Sequence, residues 1–257
     1  PTKSKKIFTS EKFKKYMKII PAILENDLET IKNKINYYSS LKEKYSLDFD
    51  LIQIDFCDGE FVENKNWLPE NFDQLRELVN LEKDFNIEVH IMCKDIRKYF
   101  DICKSSGIKN IIIHIDNLLI AENEELLKIT EESAESQINL GLCSKLSFMK
   151  ENQDTLLSFI ANNKALFNQS KIYLQVMGIE NIGVQGEPLG EDSVNIIQSV
   201  RDLFPSEELD INVDGSVNDA TYQLFKNAGA TSLVVGSYFI KAESEERFVE
   251  RYNLLKS

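Results

Sequence analysis

Eight short runs of Ile, Val and Leu punctuate the chain, near 19–24, 51–56, 87–92, 110–115, 138–143, 171–177, 210–214 and 232–236. Each has the length and aliphatic content of a buried strand. Between them lie longer polar stretches with apolar residues at helical spacing: Asp27 to Tyr45, Leu68 to Phe85, Asp95 to Ser106, Ala121 to Glu135 and Asp192 to Phe204. Strand followed by helix, eight times at intervals of roughly 22 to 39 residues, predicts an α/β fold, a single (β/α)8 TIM barrel. An open doubly wound sheet is the competing arrangement, but its GxGxxG fingerprint is absent. Gly107, after a helix ending at Lys104, and Gly229, after one from about Asn218 to Asn227, stand where a helix end favours a left-handed residue.

The length of 257 residues suits one such barrel. Asp and Glu outnumber Lys and Arg by 42 to 30, a formal charge of −12, which argues against a general nucleic-acid or anionic-membrane binder acting by bulk electrostatics. No apolar run reaches the length of a signal peptide or a membrane span. Cys57, Cys93, Cys103 and Cys143 show neither CxxC pairing nor zinc-ribbon spacing, so the expectation is a cytoplasmic protein with reduced thiols. Residues 1–18, with Lys at 3, 5, 6, 12, 14, 15 and 18, read as a solvated N-terminal extension, and 19–257 as the barrel domain.

In a barrel of this kind reactive groups sit at the C-terminal ends of the strands. Those ends carry Gln53, Asp55 and Asp58-Gly59 on the second strand, His90 and Met92 on the third, and His114 and Asp116 on the fourth. Met177 ends the sixth, Asp214-Gly215-Ser216 the seventh and Gly236-Ser237 the eighth. Both histidines of the chain are among them. Gln53, Asp55, His90 and Asp214 are candidate ligands of one divalent cation, with zinc, iron, manganese and magnesium all chemically admissible. The competing reading makes Gln53 and His90 hydrogen-bonded barrel-lining residues and the aspartates turn formers. Asp55 and Asp214 also form a candidate acid/base pair addressing opposite faces of a small substrate. Gly215, Ser216, Gly236 and Ser237 could offer amides and hydroxyls to a phosphate, or simply serve strand-to-helix turns. The loop from Gly178 to Gly190, with Gly183 and Gly186, reads either as a flap or as a long connection. Asp58-Gly59 reads as a tight turn, His114 with Asp116 as a barrel hydrogen bond, and Cys57 and Cys143 as small apolar packing.

The segments IIPAIL (19–24), IQIDFCDGEFVENKN (52–66), VHIMC (89–93), IIIHID (111–116), VMGIENIGVQGEP (176–188), INVDGSVNDATY (211–222) and AGATSLVVGS (228–237) occur in an order and spacing that resembles the ribulose-phosphate 3-epimerases, from Ile19 to about Phe239. The VDGS run with NDATY looks like the branch acting on a ketohexose 6-phosphate, allulose 6-phosphate. The resemblance implies a barrel of the ribulose-phosphate binding type and metal-dependent epimerisation at C3 of a ketose phosphate through an enediolate. It casts Asp55 and Asp214 as the proton-transfer acids and also metal ligands, and His90 as a further ligand beside the substrate. Gly183 to Gly186 would form the glycine loop over the substrate, and Gly215, Ser216, Gly236 and Ser237 the phosphate cradle. The expected partner is a small sugar phosphate bound by a homo-oligomer, with no nucleic acid and no membrane. The chain departs from the family pattern at Gln53 (a family His), Ala22 (a family Ser) and Asn181-Ile182 (a family Pro-Gly). A catalytically silent or altered sugar-phosphate binder is therefore the alternative. A metal-free decarboxylase or synthase on the related barrel needs a Lys two residues after the strand-two Asp, and that position is Cys57.

Overall fold

The computed structural model describes residues 17–81, 85–116, 118 and 124–257. Most of the Lys-rich extension and the opening of the helix expected from Ala121 lie outside these residues. The aliphatic runs form eight strands: β1 (Lys18–Ile23), β2 (Leu51–Cys57), β3 (Asn86–Met92), β4 (Asn110–His114), β5 (Asn139–Ser144), β6 (Ile172–Met177), β7 (Ile211–Asp214) and β8 (Ser232–Val235). All neighbours pair in parallel, and β8 returns to β1 to close the barrel. Lys18, expected in the extension, is the first residue of β1.

Nine α-helices occur among the described residues. They are α1 (Leu28–Tyr45), α2 (Phe72–Leu81), α3 (Ile96–Ser106), α4 (Glu124–Glu135), α5 (Leu146–Asn163), α6 (Ser193–Leu203), α7 (Tyr222–Ala228), the single turn α8 (Ser237–Ile240) and α9 (Glu245–Lys256). Their starts and stops have local causes. The carboxylates of Asp27 and Asp95 accept amides of the first turns of α1 and α3, and Gly107 and Gly229 end α3 and α7 in the left-handed region. α2 begins four residues later than the polar pattern suggests. Pro69 precedes it, and the Asn71 side chain accepts the amides of Asp73 and Gln74, which sets the first turn there.

The main core lies between the outer face of the sheet and the helices, where Ile52, Ile54 and Phe56 of β2 are fully buried. Because side chains alternate along a strand, Gln53 and Asp55 face the interior of the barrel. That interior is polar for its depth: Gln53, Glu88, His90, His114, Gln175, Asn212 and Ser232 are all buried. The apolar residues Ile20, Ala22 and Val234 form only a small cluster, separate from the main core. Buried polar groups are tolerable when they bond to one another. Across the barrel the Tyr173 hydroxyl donates to Glu88 Oε2 at 2.5 Å. Gly141 makes room for the tyrosine, since a Cβ there would lie 2.7 Å from the Tyr173 ring and 2.7 Å from Ile112.

Burial pushes the Glu88 carboxyl up to about 7, against the pull of the Tyr173 hydrogen bond. A carboxyl with a raised folded-state pKa favours folding below its unfolded value of 4.5, and that contribution disappears as pH rises through about 7. Relative to Glu88→Gln, the wild-type protein should lose roughly 3 kcal/mol of stability between these limits and none above them. Urea unfolding of both proteins from pH 4 to 8 measures the difference, and parallel curves would rule out Glu88 as its source.

Candidate active site

β2 and β3 run in register so that Asp55 stands opposite His90, and β6 and β7 so that Met177 stands opposite Asp214. Closure of the barrel brings these elements together. Gln53 Nε2 donates to Asp55 Oδ1 at 2.7 Å and to Asp214 Oδ2 at 2.9 Å, and lies 3.4 Å from His90 Nδ1. The same imidazole nitrogen is 3.3 Å from Asp55 and 3.2 Å from Asp214. Thus the four residues singled out in the sequence converge. Gln175 joins them, with its Nε2 3.2 Å from Asp214 Oδ2 and 3.4 Å from His90 Nδ1. Sequence reasoning passed over Gln175, although alternation backward from Met177 turns it to the same side of β6.

Electrostatics follow from crowding two carboxylates into a nearly dry place. Burial, reinforced by the charge of Asp214, raises the Asp55 carboxyl above its ordinary range. Burial alone would depress His90, but its bonds to Asp214 and Asp55 hold it well above the usual imidazole value.

The donor set also has the dimensions of a cation site. Five of the six separations among Gln53 Nε2, Asp55 Oδ1, His90 Nδ1 and Asp214 Oδ2 fall between 2.7 and 3.4 Å. A tetrahedron of that size has its centre about 2 Å from each corner, the bond length of nitrogen and oxygen ligands to zinc. Gln53 now directs a donor to its corner and leaves Oε1 buried without a hydrogen-bond partner. The two ends of a side-chain amide are nearly identical in shape. Turning the amide over would place an oxygen at that corner, so Asp55, His90, Asp214 and Gln53 fit a divalent ion.

Above this cluster a cavity of about 540 Å³, counted to its open rim, is floored by Asp55, Asp214, Met92 and Met177 and walled by Gly215, Ser216, Gly236 and Ser237. Gly183 and Gly186 lie in the segment that covers it. Gly215 and Ser216 both adopt positive φ, 101° and 53°, which folds the chain after β7 back along the wall. The Ser216 carbonyl accepts the Asn218 amide and the Thr221 hydroxyl. The covering segment is fixed at one point by Asn64, which donates to the Gly183 carbonyl at 2.8 Å. Gly178 at its start admits no side chain: a Cβ there would lie 2.0 Å from the Gly215 carbonyl oxygen.

The neighbouring residues sort themselves around this cluster. Asp58 accepts the amides of Glu60, Phe61 and Lys94 and so forms the turn expected of it. Asn66, which sequence reasoning gave no role, clamps the end of β2 by accepting the Cys57 amide and donating to the Asp55 carbonyl. Its only advance signal was its place at the end of the 52–66 run. Cys57 is buried and its thiol is pushed up to about 12 by burial, which suits packing and not nucleophilic attack. Cys143 differs from the plain apolar packing expected. Its register partner is His114, and its sulfur lies within 4.8 Å of ligand atoms of His90 and His114. His114 makes the expected barrel hydrogen bonds, at 2.9 Å to His90 and 3.3 Å to Asp116.

The sequence pattern of the ribulose-phosphate 3 epimerase family matches residues 18–240. A protein named ribulose-phosphate 3-epimerase from Chlamydia muridarum is 27% identical over 200 residues, covering 76% of this chain and 78% of that one. One of the same name from Bacillus subtilis is 25% identical, covering 86% of this chain and 91% of its own. Among solved structures, orotidine 5'-phosphate decarboxylase from Pyrococcus horikoshii superposes with a TM-score of 0.59 at 14% identity, over 93% of this chain and 99% of that one. A 3-hexulose-6-phosphate synthase does so with a TM-score of 0.56 at 14% identity, over 93% and 98%. These two likenesses are of fold alone.

The close approach of Gly178 to backbone gives a direct test of the cavity wall. Gly178→Ala should destabilise the protein by roughly 3 kcal/mol, because no side-chain rotation relieves a clash with a carbonyl. Urea denaturation reads the loss; an unchanged midpoint would mean that the β6 and β7 loops separate freely.

Proposed function

The chain belongs to the ribulose-phosphate 3-epimerase family, and from that membership we propose that it is an isomerase acting at C3 of a ketose phosphate. The observation that carries the reading is the pair Asp55 and Asp214, both bonded to the one Gln53 amide at the floor of a cavity walled by Gly215, Ser216, Gly236 and Ser237. The substrate is ribulose 5-phosphate/xylulose 5-phosphate or a ketohexose 6-phosphate, the second favoured by the VDGS and NDATY runs.

In this reading the Ser216 and Ser237 hydroxyls and the glycine amides beside them hold the phosphate. Among the described residues the cavity lining includes no Lys or Arg, so recognition rests on neutral donors. The sugar then lies over Met92 and Met177, with C3 between the two carboxylates. Asp214 on β7 takes the C3 proton from one face, and Asp55 on β2, whose proton affinity burial raises, returns one to the other. The roles exchange in the reverse direction. Residues 183–187 cover the sugar and keep water from the carbanion. Asp55, His90, Asp214 and the Gln53 amide oxygen would hold a divalent metal ion. Such an ion supplies positive charge to stabilise the enediolate, without which a carboxylate is too weak a base for a carbon acid. Four free, buried cysteines suit the reducing cytoplasm, and no helix among the described residues is long and apolar enough to cross a membrane.

The Gln53 amide also motivates a second reading, a sugar-phosphate binder without turnover, because its N–H groups engage both carboxylates that would move protons. Incubation with ribulose 5-phosphate or a ketohexose 6-phosphate in deuterated water separates the two. The epimerase incorporates deuterium at C3 and forms the epimer, and a binder does neither. Asp55→Asn and Asp214→Asn should each lower exchange at least about 100-fold; undiminished exchange in either would end the two-carboxylate scheme. Restoring an imidazole with Gln53→His should tighten zinc binding on the order of tenfold, read by competition with a chelator.

A further inference from the structure

The cavity above Asp55 and Asp214 is short of side-chain donors for the phosphate proposed to sit in it. Three carboxylates line it, those of Asp55, Asp214 and Glu187, with the hydroxyls of Ser216 and Ser237. Among the described lining residues Gln185 alone carries a side-chain N–H donor. The side chains that β1, its following loop and β8 contribute to the wall are apolar: Ala22, Leu24 and Val234.

Gln185 reaches this apolar wall from the covering segment. A Cβ built on Gly236 would lie 3.1 Å from Gln185 Nε2, 3.7 Å from its Cδ and 3.8 Å from the Ala22 side chain. The amide therefore stands against the backbone of Gly236, one residue before Ser237. Its position follows from the segment that carries it. Asn181 Nδ2 donates to Glu187 Oε2 at 3.1 Å, tying the two ends of the segment together. Asn64 holds the Gly183 carbonyl, and Gly183 and Gly186 turn the chain on either side of Gln185 with φ of 83° and 82°. Among the described residues the Gln185 amide has no hydrogen-bond partner, so its donors are available to a ligand. Lys241, the residue after α8, brings its ammonium to 3.6 Å from the Cβ position of Gly186. That adds positive charge beside the segment without lining the cavity.

We propose that Gln185 is a phosphate-binding residue, the side chain that carries an N–H donor from the covering segment to a phosphate at Gly236 and Ser237. The two ends of the amide exchange by rotation about one bond, so a dianion selects Nε2. A carboxylate at the same place would repel it, and an ammonium would attract it. The inference deepens the function proposed above and rests on its phosphate cradle, not on turnover or on the metal.

Titration calorimetry of the wild type, Gln185→Ala, Gln185→Glu and Gln185→Lys with inorganic phosphate tests the assignment. Gln185 is exposed at the tip of its segment, so the four proteins should unfold at the same urea concentration. Affinity should fall about tenfold in Gln185→Ala and about 100-fold in Gln185→Glu, and should match or exceed the wild type in Gln185→Lys. A ketohexose 6-phosphate should show the same order. Equal affinities in all four proteins overturn the proposal. So does a loss in Gln185→Lys as large as in Gln185→Ala, the result expected of a residue that only props the segment. A loss for the sugar phosphate with none for inorganic phosphate overturns it too, by assigning the amide to the sugar. A wild type that binds neither ligand overturns it together with the cradle. Deuterium exchange at C3 is scored separately: phosphate affinities in the expected order without exchange uphold the Gln185 assignment and refute the epimerase reading, and exchange with equal affinities does the reverse.

Discussion

Two carboxylates buried against one another would repel unless something positive or donating stood between them. In this barrel that place is filled by the Gln53 amide, with His90 and Gln175 beside it. The arrangement explains why the interior is so polar for its depth. Each group placed there to relieve Asp55 and Asp214 brings further bonding groups that need partners, and the chain of partners runs outward through His114 to Asp116. Branched aliphatics, the usual filling of such a barrel, are few here: Ile20 and Val234 cluster with Ala22 on one side, and Ile112 lies against Gly141 on another.

A large part of this was legible in the residues. The eight aliphatic runs became eight strands with ends shifted by at most one residue, because a strand shielded on both faces must be apolar on its helix-facing side and that signal is local. The candidate ligands were legible for the same reason: they are polar residues at the ends of apolar runs, where the burial of charge needs an explanation. α5 and α9 were not named in advance. In α5 the buried Leu146 and Met149 are separated from Leu156, Leu157 and Ile160 by a polar stretch, so the stripe is broken, while the Glu cluster at the start of α9 drew attention to its solvated face. The Lys44 and Tyr45 contacts of Glu245 dock that end of α9 on α1.

Contacts that depend on barrel closure were not legible at all. Nothing in the spacing of His90, His114 and Cys143 says that β3, β4 and β5 will align two imidazoles edge to edge, since the stagger between strands is set by the whole sheet. The same holds for Gln175, which meets Asp214 and His90 only because β6 adjoins β7 and faces β3 across the interior. The sequence carries the identities of such residues, whereas the network belongs to the closed sheet.

The absence of a side chain at Gly141 has an evolutionary consequence. Tyr173 occupies the volume that a Cβ at 141 would need, and Glu88 is matched to the hydroxyl at its far end. These three positions are therefore epistatic: enlargement at 141 is accessible only after the tyrosine shrinks, and a smaller residue at 173 strands the buried acid. Drift at the lower end of the barrel must proceed by paired or triple exchange, as it must at the upper rim where Gly178 meets the Gly215 carbonyl.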